Sequence, residues 1–434
     1  MQTTLSDAFK NTADGIEAER ILRSCVHCGF CLATCPSYQI LGNELDSPRG
    51  RIYLIKQLVE GAAVSAKTQL HLDRCLTCRN CETTCPSGVE YGKLLDIGRS
   101  LIDARVARSY ADTLARKTLG AVIPNPALFT PMLKAGQALR PFLPGALKSK
   151  IPARLQPTHP TPSATQHARS MLLLEGCAQP ALVPNINAAA TRVLDRLGIR
   201  LFAASAAGCC GAVKFHLDDH DGGLTAMRKN IDAWLPHLDA GAEAIVMTAS
   251  GCGVMVKDYG WHLRNDPDYA EKAARVAAAT KDLSEIVLAE RDALARLLSP
   301  APSAANTGSP AGTAHRSPPI RKVAYHPPCT LQHGQKLTGG VETLLAQAGF
   351  ELTDVAEKNL CCGSAGTYSI LQPAIAGALK TRKLNHLQAG QPEVIVTANI
   401  GCLTHLQSGS SIPVQHWVEL LDSVLPNQRT ELSK

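Results

Sequence analysis

The sequence predicts an α+β multidomain fold, a helical N-terminal domain followed by two tandem α/β cysteine-rich repeats, and three observations predict it. Cys25, Cys28, Cys31 and Cys35, followed by Pro36, share their spacing with Cys75, Cys78, Cys81 and Cys85, followed by Pro86. The other eight cysteines form a second kind of repeat: Cys177, Cys209-Cys210-Gly211 and Cys252 against Cys329, Cys361-Cys362-Gly363 and Cys402. The step from the first cysteine to the pair is 32 residues in both copies, and the step from the pair to the last is 42 in one and 40 in the other, which marks a duplication. The third observation is patterning, helical around the first two runs and alternating strand and helix around the later cysteines. The expected division is 1–108, a proline-rich basic connector at 109–169, a first repeat at 170–298, a flexible linker at 299–320 and a second repeat at 321–434.

Taken in order, Asp7 to Leu22 has helical composition and leads into a cysteine loop expected to be irregular. Ser47-Pro48 followed by Ile52, Leu54, Ile55, Leu58 and Val59 gives an N-cap, a proline at the first helical position and an amphipathic face. A further helix is expected from Gly88 to about Arg108. Helix rather than a short hairpin thus separates Cys35 from Cys75, which points away from the small βαββαβ ferredoxin. In the connector, prolines at 124, 126, 131, 141, 144, 152, 157, 160 and 162 are expected to stop any long element and leave short helices and linker. Its bases, Arg105, Arg108, Arg116, Lys117, Lys134, Arg140, Lys148, Lys150 and Arg154, outnumber Asp103 and Asp112, giving either a solvated linker or a docking surface for a partner or anionic lipid. The first repeat is expected to carry strands at 171–175, 200–204 and 244–248 and a helix at 186–197. The second carries strands at 322–325, 351–355 and 394–397 and a helix at 340–347. Each cysteine position then follows a strand's carboxyl end, where open α/β sheets place ligands.

Both N-terminal runs match C-x2-C-x2-C-x3-C-P, in which three thiolates hold one iron-sulfur cube and the fourth cysteine serves the other cube. The expected ligation of two [4Fe-4S] clusters is therefore crossed: Cys25, Cys28, Cys31 and Cys85 for one, Cys75, Cys78, Cys81 and Cys35 for the second. Zinc sites favour paired C-x2-C units, and a disulfide framework belongs to secreted chains. In the repeats, Cys177, Cys209, Cys210 and Cys252, and likewise Cys329, Cys361, Cys362 and Cys402, are candidate ligands of one or two further iron-sulfur clusters, against a reading as buried structural thiols. His326, His405, His216 and His416 lie near the cysteine positions and are candidates to relay protons, against the blander role of satisfied polar groups.

Composition narrows the function. With 434 residues, 45% of them hydrophobic, the chain can build several cores. Met1 to Arg20 carries Asp7, Asp14, Glu17 and Glu19 with no apolar run, so a secretory signal is not expected, and sixteen cysteines fit metal or redox use in the cytoplasm. No apolar stretch is long enough to span a bilayer, so any membrane contact is expected to be peripheral. A net charge of +7 with 4% aromatic residues argues against nucleic acid as a partner. No G-x-G-x-x-G follows a strand and no P-loop is present, so no flavin or nicotinamide site is expected on this chain.

The Cys-Cys-Gly repeats resemble the cysteine-rich domains of heterodisulfide reductases and of quinone-linked dehydrogenases. With the two N-terminal runs before them, the chain resembles the iron-sulfur subunits of bacterial glycolate oxidase, a family related to the iron-sulfur subunits of lactate utilisation and anaerobic glycerol-3-phosphate dehydrogenase. The resemblance implies an electron-transfer subunit of a flavin-dependent 2-hydroxy-acid dehydrogenase, with the flavin on partner subunits, a quinone-type acceptor and a place on the cytoplasmic face of the inner membrane. The fullest family repeat ends in C-x2-C, whereas here Met255 and His405 stand three residues after Cys252 and Cys402. That departure implies four-cysteine cubanes, or an empty site in one repeat, instead of five-cysteine noncubane clusters. Two other classes remain open at this point: a thiol/disulfide reductase that uses the Cys-Cys pairs on substrate, and a non-redox scaffold or sensor.

Overall fold

In a computed structural model, residues 1–142, 144, 151–152, 167–299 and 320–426 are described. The expected linker at 299–320 and the bases Lys148, Lys150 and Arg154 lie outside these residues, apart from the linker's end residues 299 and 320. Among the described residues no helix is long and apolar enough to cross a membrane.

The N-terminal part is helical. Helix Ala13–Ser24 begins later than expected because residues 7–12 form turns and Thr12, extended at φ −94°, caps it by accepting the Gly15 N–H. Helix Pro48–Val59 starts at the expected Ser47 cap, whose Oγ accepts the Gly50 N–H at 3.0 Å. Helix Tyr91–Asp103 is shorter than expected at both ends, since Gly88 at φ +62° and Glu90 at ψ +65° are not helical. These helices enclose a core of Ile21, Leu22, Ile55, Leu58, Leu94, Leu95 and Ile102. Gly98 permits the crossing, because a Cβ there would stand 2.6 Å from Ile55 Cγ1.

The cysteine runs are not wholly irregular. Each winds through left-handed residues, His27 and Gly29 in one and Thr77 and Arg79 in the other, into a short helix, Phe30–Thr34 or Asn80–Thr84. The connector holds two helices, Tyr110–Val122 and Pro126–Leu139, where short helices and linker were expected. Pro124 and Pro126 fall between them and at a first helical position, where proline costs little, and only Pro131 is interior. The connector's bases are also less free than their count implied. Arg108 pairs with Asp73, Asp103, Asp112 and Asp218, and Arg116 with Asp73, Asp112 and Asp218, so acids from neighbouring segments neutralise them.

Each repeat is built on a four-stranded parallel sheet. The first orders β2-β1-β3-β4 from β1 (Arg169–Leu174), β2 (Ile199–Ala203), β3 (Ile245–Met247) and β4 (Thr280–Asp282). The second orders β6-β5-β7-β8 from β5 (Lys322–His326), β6 (Glu351–Leu352), β7 (Val394–Thr397) and β8 (Val414–His416). β4 and β8 escaped the sequence reading because three mostly polar residues carry no strand pattern, and β6 pairs over two residues instead of the expected five. Alternate residues of β1 feed opposite faces: Met171 and Leu173 join a core shared with the second sheet, whereas Leu172 and Leu174 pack with Trp234, Met227 and Ile231. The repeats are also sewn together by polar contacts, Ser250 N–H to Ala398 O at 3.1 Å and Arg192 and Arg196 to Asp422.

Candidate iron-sulfur centres

Two cysteine-lined pockets open between the N-terminal runs. The first is lined by Cys25, Cys28, Cys31 and Cys85, with Cys81 at its edge and Val26, Phe30, Ile52 and Val89 around it. The second is lined by Cys35, Cys75, Cys78 and Cys81, with Pro36, Arg51 and Tyr91. The fourth cysteine of each run therefore faces the other run's pocket, as crossed ligation requires. The cause is local: each run's short helix ends one residue before that cysteine, and the two helices pack on each other.

The electrostatics fit a metal cluster. Burial pushes the Cys31 thiol up to about 11 and the Cys78 and Cys81 thiols well above their ordinary value. Thiols so buried carry their protons until metal cations replace them. Donors are ready for the resulting charge: the Thr77 N–H and the Tyr91 hydroxyl each lie 3.5 Å from Cys75 Sγ, and Ser37 Oγ lies 3.3 Å from Cys35 Sγ. Arg51 is fully buried beside the second pocket, giving its Nε to His71 O and one Nη to Ser37 Oγ, while Nη1 has no hydrogen-bond partner. Burial lowers its pKa, but the neighbouring Tyr91, Cys75, Cys35 and Asp46 raise it by more, so the guanidinium stays cationic. An orphaned guanidinium nitrogen beside four thiols suits an anionic sulfur cluster.

In the repeats the structure brings each set of four thiols together at the carboxyl ends of the strands. Cys177 and Cys329 follow β1 and β5, the adjacent pairs follow β2 and β6, and Cys252 and Cys402 sit in the first turns of helices Ser250–Lys257 and Ile400–Gln407. Cys329 Sγ and Cys361 Sγ are 3.8 Å apart. In the first repeat the neighbouring thiols of Cys177 and Cys210 lower the Cys209 thiol, and Cys210 is raised by Cys209, Cys252 and burial. The turn after each pair needs glycine: Gly211 and Gly363 both sit at φ +91°, and a Cβ would stand 2.9 Å from Gly223 O or 2.6 Å from Ala376 O. Asn230 holds the first pair in place, accepting from Gly208 N–H and donating to Cys209 O, while Tyr259 donates to Cys210 O.

The four candidate histidines separate. His326 lies with Cys362 and Cys402, their ligand atoms all within 4.8 Å of one another. His405 instead turns to Ala376 O at 3.3 Å, and His416 caps helix Trp417–Val424 while its Nε2 contacts Thr248 O at 2.9 Å. His216 packs on Phe215 in a buried group with His220 and His262. A proton relay through all four is therefore not formed. Sequence reasoning missed Arg51 and Lys383. Lys383 is buried in the second repeat with its Nζ donating to Glu357 O at 2.6 Å, its pKa lowered by burial against the opposing pull of Cys362, Cys361 and Cys329.

The second N-terminal pocket abuts the second repeat. Cys78 shares one buried cluster with Cys329, Cys361, Leu76, Leu360 and Tyr368. Polar contacts hold that junction: Tyr368 Oη to Arg74 O at 3.0 Å, Asn80 Nδ2 to Asn359 O at 3.0 Å, and Thr83 Oγ1 to His333 Nδ1 at 2.9 Å.

Comparison with known proteins agrees with this geometry. A 4Fe-4S dicluster domain family matches residues 21–89, and a cysteine-rich domain family matches residues 171–257 and again 323–407. The chain is 52% identical to the glycolate oxidase iron-sulfur subunit of Escherichia coli K12 over 428 residues, 99% of this chain and 100% of that protein. It is 29% identical to a probable glycolate oxidase iron-sulfur subunit of Bacillus subtilis, covering 93% and 92% of the two chains. It is 26% identical to lactate utilization protein A of Shouchella clausii over 57% of this chain and 96% of that one. Identity of that extent, carried across both cluster-type modules and both repeats, shows that the chain belongs to the glycolate oxidase iron-sulfur subunit family.

Proposed function

We propose that this chain is the electron-transfer subunit of a glycolate-oxidising complex, receiving electrons from a flavoprotein partner and passing them singly toward a quinone-type acceptor. The observation that carries the reading is continuity: the two N-terminal pockets share Cys81 and Tyr91, and the second meets the thiols of the second repeat through Cys78. Iron-sulfur clusters supply one-electron chemistry when bound. The chain's own residues do the rest. The runs hold thiolates in two crossed sets, Thr77, Tyr91 and Arg51 place donors around the second set, and Leu76, Leu360 and Tyr368 keep water from the junction. The substrate follows from the named activity of the relatives, since no group of this chain need touch it.

Burial weighs against the thiol/disulfide alternative. Cys210, Cys361 and Cys362 are at most 3% exposed, and exchange requires a thiolate to reach its disulfide. The test is Cys209→Ala and Cys361→Ala in the assembled complex. Both should lower acceptor reduction while substrate still reduces the partner's flavin. Wild-type acceptor reduction in both variants would make the repeats structural domains.

Peripheral attachment to the cytoplasmic face of the inner membrane remains part of the proposal. It rests on the connector's other bases: Lys117 and Lys134, which make no ion pair among the described residues, and Lys148, Lys150 and Arg154, which lie outside them.

A further inference from the structure

The two repeats share a thiol quartet but differ in what surrounds it. Over this part of the chain the copies are offset by 152 residues, which relates Cys177 to Cys329, Cys209 to Cys361 and Gly211 to Gly363. The same offset relates Leu174 to His326, the last residues of β1 and β5. Leu174 is buried in the apolar cluster of the first repeat, so this position accepts a hydrocarbon side chain in this fold. In the second repeat it carries an imidazole, also buried. Burying such a group costs stability, and the fold does not require it.

Among the described residues His326 makes no hydrogen bond through Nδ1 that would explain it. That nitrogen is buried, while the ligand atom of His326 shares a 4.8 Å cluster with Cys362 Sγ and Cys402 Sγ. His405, three residues after Cys402, is occupied at Ala376 O and does not join the set. We propose that His326 is a metal ligand, so that the second repeat binds an iron-sulfur centre of mixed cysteine and histidine ligation, distinct from an all-cysteine centre in the first repeat.

The proposal rests on reading the repeats as cluster-bearing, and it predicts a difference between them. An imidazole that takes the place of one thiolate of the quartet leaves the ligand set one negative charge poorer. Lys383, close enough to feel the charge of Cys362, Cys361 and Cys329, adds a buried cation. Both favour the reduced, more negative state, so the second centre has the higher potential and is the one toward which electrons run. Its contact with Cys78 places it next to the N-terminal pockets, where it can draw electrons from them.

The test uses the full chain, purified without oxygen and labelled with 15N-histidine, examined by electron spin echo envelope modulation during a redox titration. The expected result is a strongly coupled histidine nitrogen on one signal. The coupling should be lost in His326→Leu and His326→Cys and kept in His405→Gln, and the whole signal should vanish in Cys361→Ser. His326→Cys should keep the cluster and lower its potential, and Lys383→Met should lower the potential with the nitrogen coupling intact. A Cys361-dependent signal without histidine coupling would overturn the mixed ligation alone. Absence of any Cys361-dependent iron-sulfur signal or iron would overturn the proposal together with the cluster-bearing reading of the repeats.

Discussion

Replacing Gly363 by alanine separates two costs that the structure assigns to the Cys-Cys-Gly turn. The residue sits at φ +91°, outside the region an L-residue prefers, which costs about 1–2 kcal/mol. The new methyl would also stand 2.6 Å from Ala376 O and 3.0 Å from Leu379 Cβ, so helix Pro373–Gln388 must move. Overpacking of that kind costs a further ~1–3 kcal/mol. The sum is about 2–5 kcal/mol for Gly363→Ala. Gly366→Ala is the matched control, at φ +62° with nothing within 4 Å, and should show the backbone cost alone, about 1–2 kcal/mol. Urea unfolding of the two anaerobic variants against wild type, read from midpoints at unchanged slope, measures both. Equal losses in the two variants would show that the turn does not press on the helix, and would remove the packing reason for glycine after the cysteine pair.

The buried histidine group should make the fold acid-labile. Burial and the charges of Arg99, Arg79 and His220 hold His216 down to about 3, and burial lowers His220 and His262 as well. With folded values below the unfolded value near 6.5, the unfolded chain binds more protons as pH falls, so stability present above pH ~6.5 is lost below it, at about 1.4 kcal/mol per pH unit for each histidine. Unfolding midpoints at pH 7.5 and 5.5 check this, and a flat profile contradicts the burial of these rings. For the membrane, the isolated chain should bind anionic vesicles at low salt and release at high salt, less so after Lys148, Lys150 and Arg154 are replaced by Gln, each base near the surface contributing about 1 kcal/mol. A chain that ignores such vesicles would leave membrane contact to its partners.

The cysteine spacing made most of the candidate site legible, because metal ligation constrains residue type and interval more tightly than packing does. The parallel strands were legible where they are runs such as Met171–Leu174 and Val394–Thr397, buried on both faces and continuously apolar. β4 and β8 were not, since Thr280-Lys281-Asp282 owes its pairing to the neighbouring strand and not to its own pattern. The connector misled by counting: its prolines fell where helices tolerate them, and the counter-ions of Arg108 and Arg116 came from Asp73 and Asp218, far away in sequence. Arg51 and Lys383 were hidden for a related reason, because one base among several on a helix reads as a solvated residue until burial is known.

The central claim, two crossed four-thiol sites at the head of an electron path, is tested most directly by iron and sulfide analysis with electron paramagnetic resonance on the anaerobically reconstituted chain and its Cys28→Ser and Cys78→Ser variants. The account predicts at least about eight irons per wild-type chain, two spin-coupled [4Fe-4S] signals, and in each variant the loss of one signal with perturbation of the other, because Cys81 borders both pockets and each run lends its last cysteine across. About two irons, bound zinc, or variants whose second signal is untouched would contradict it.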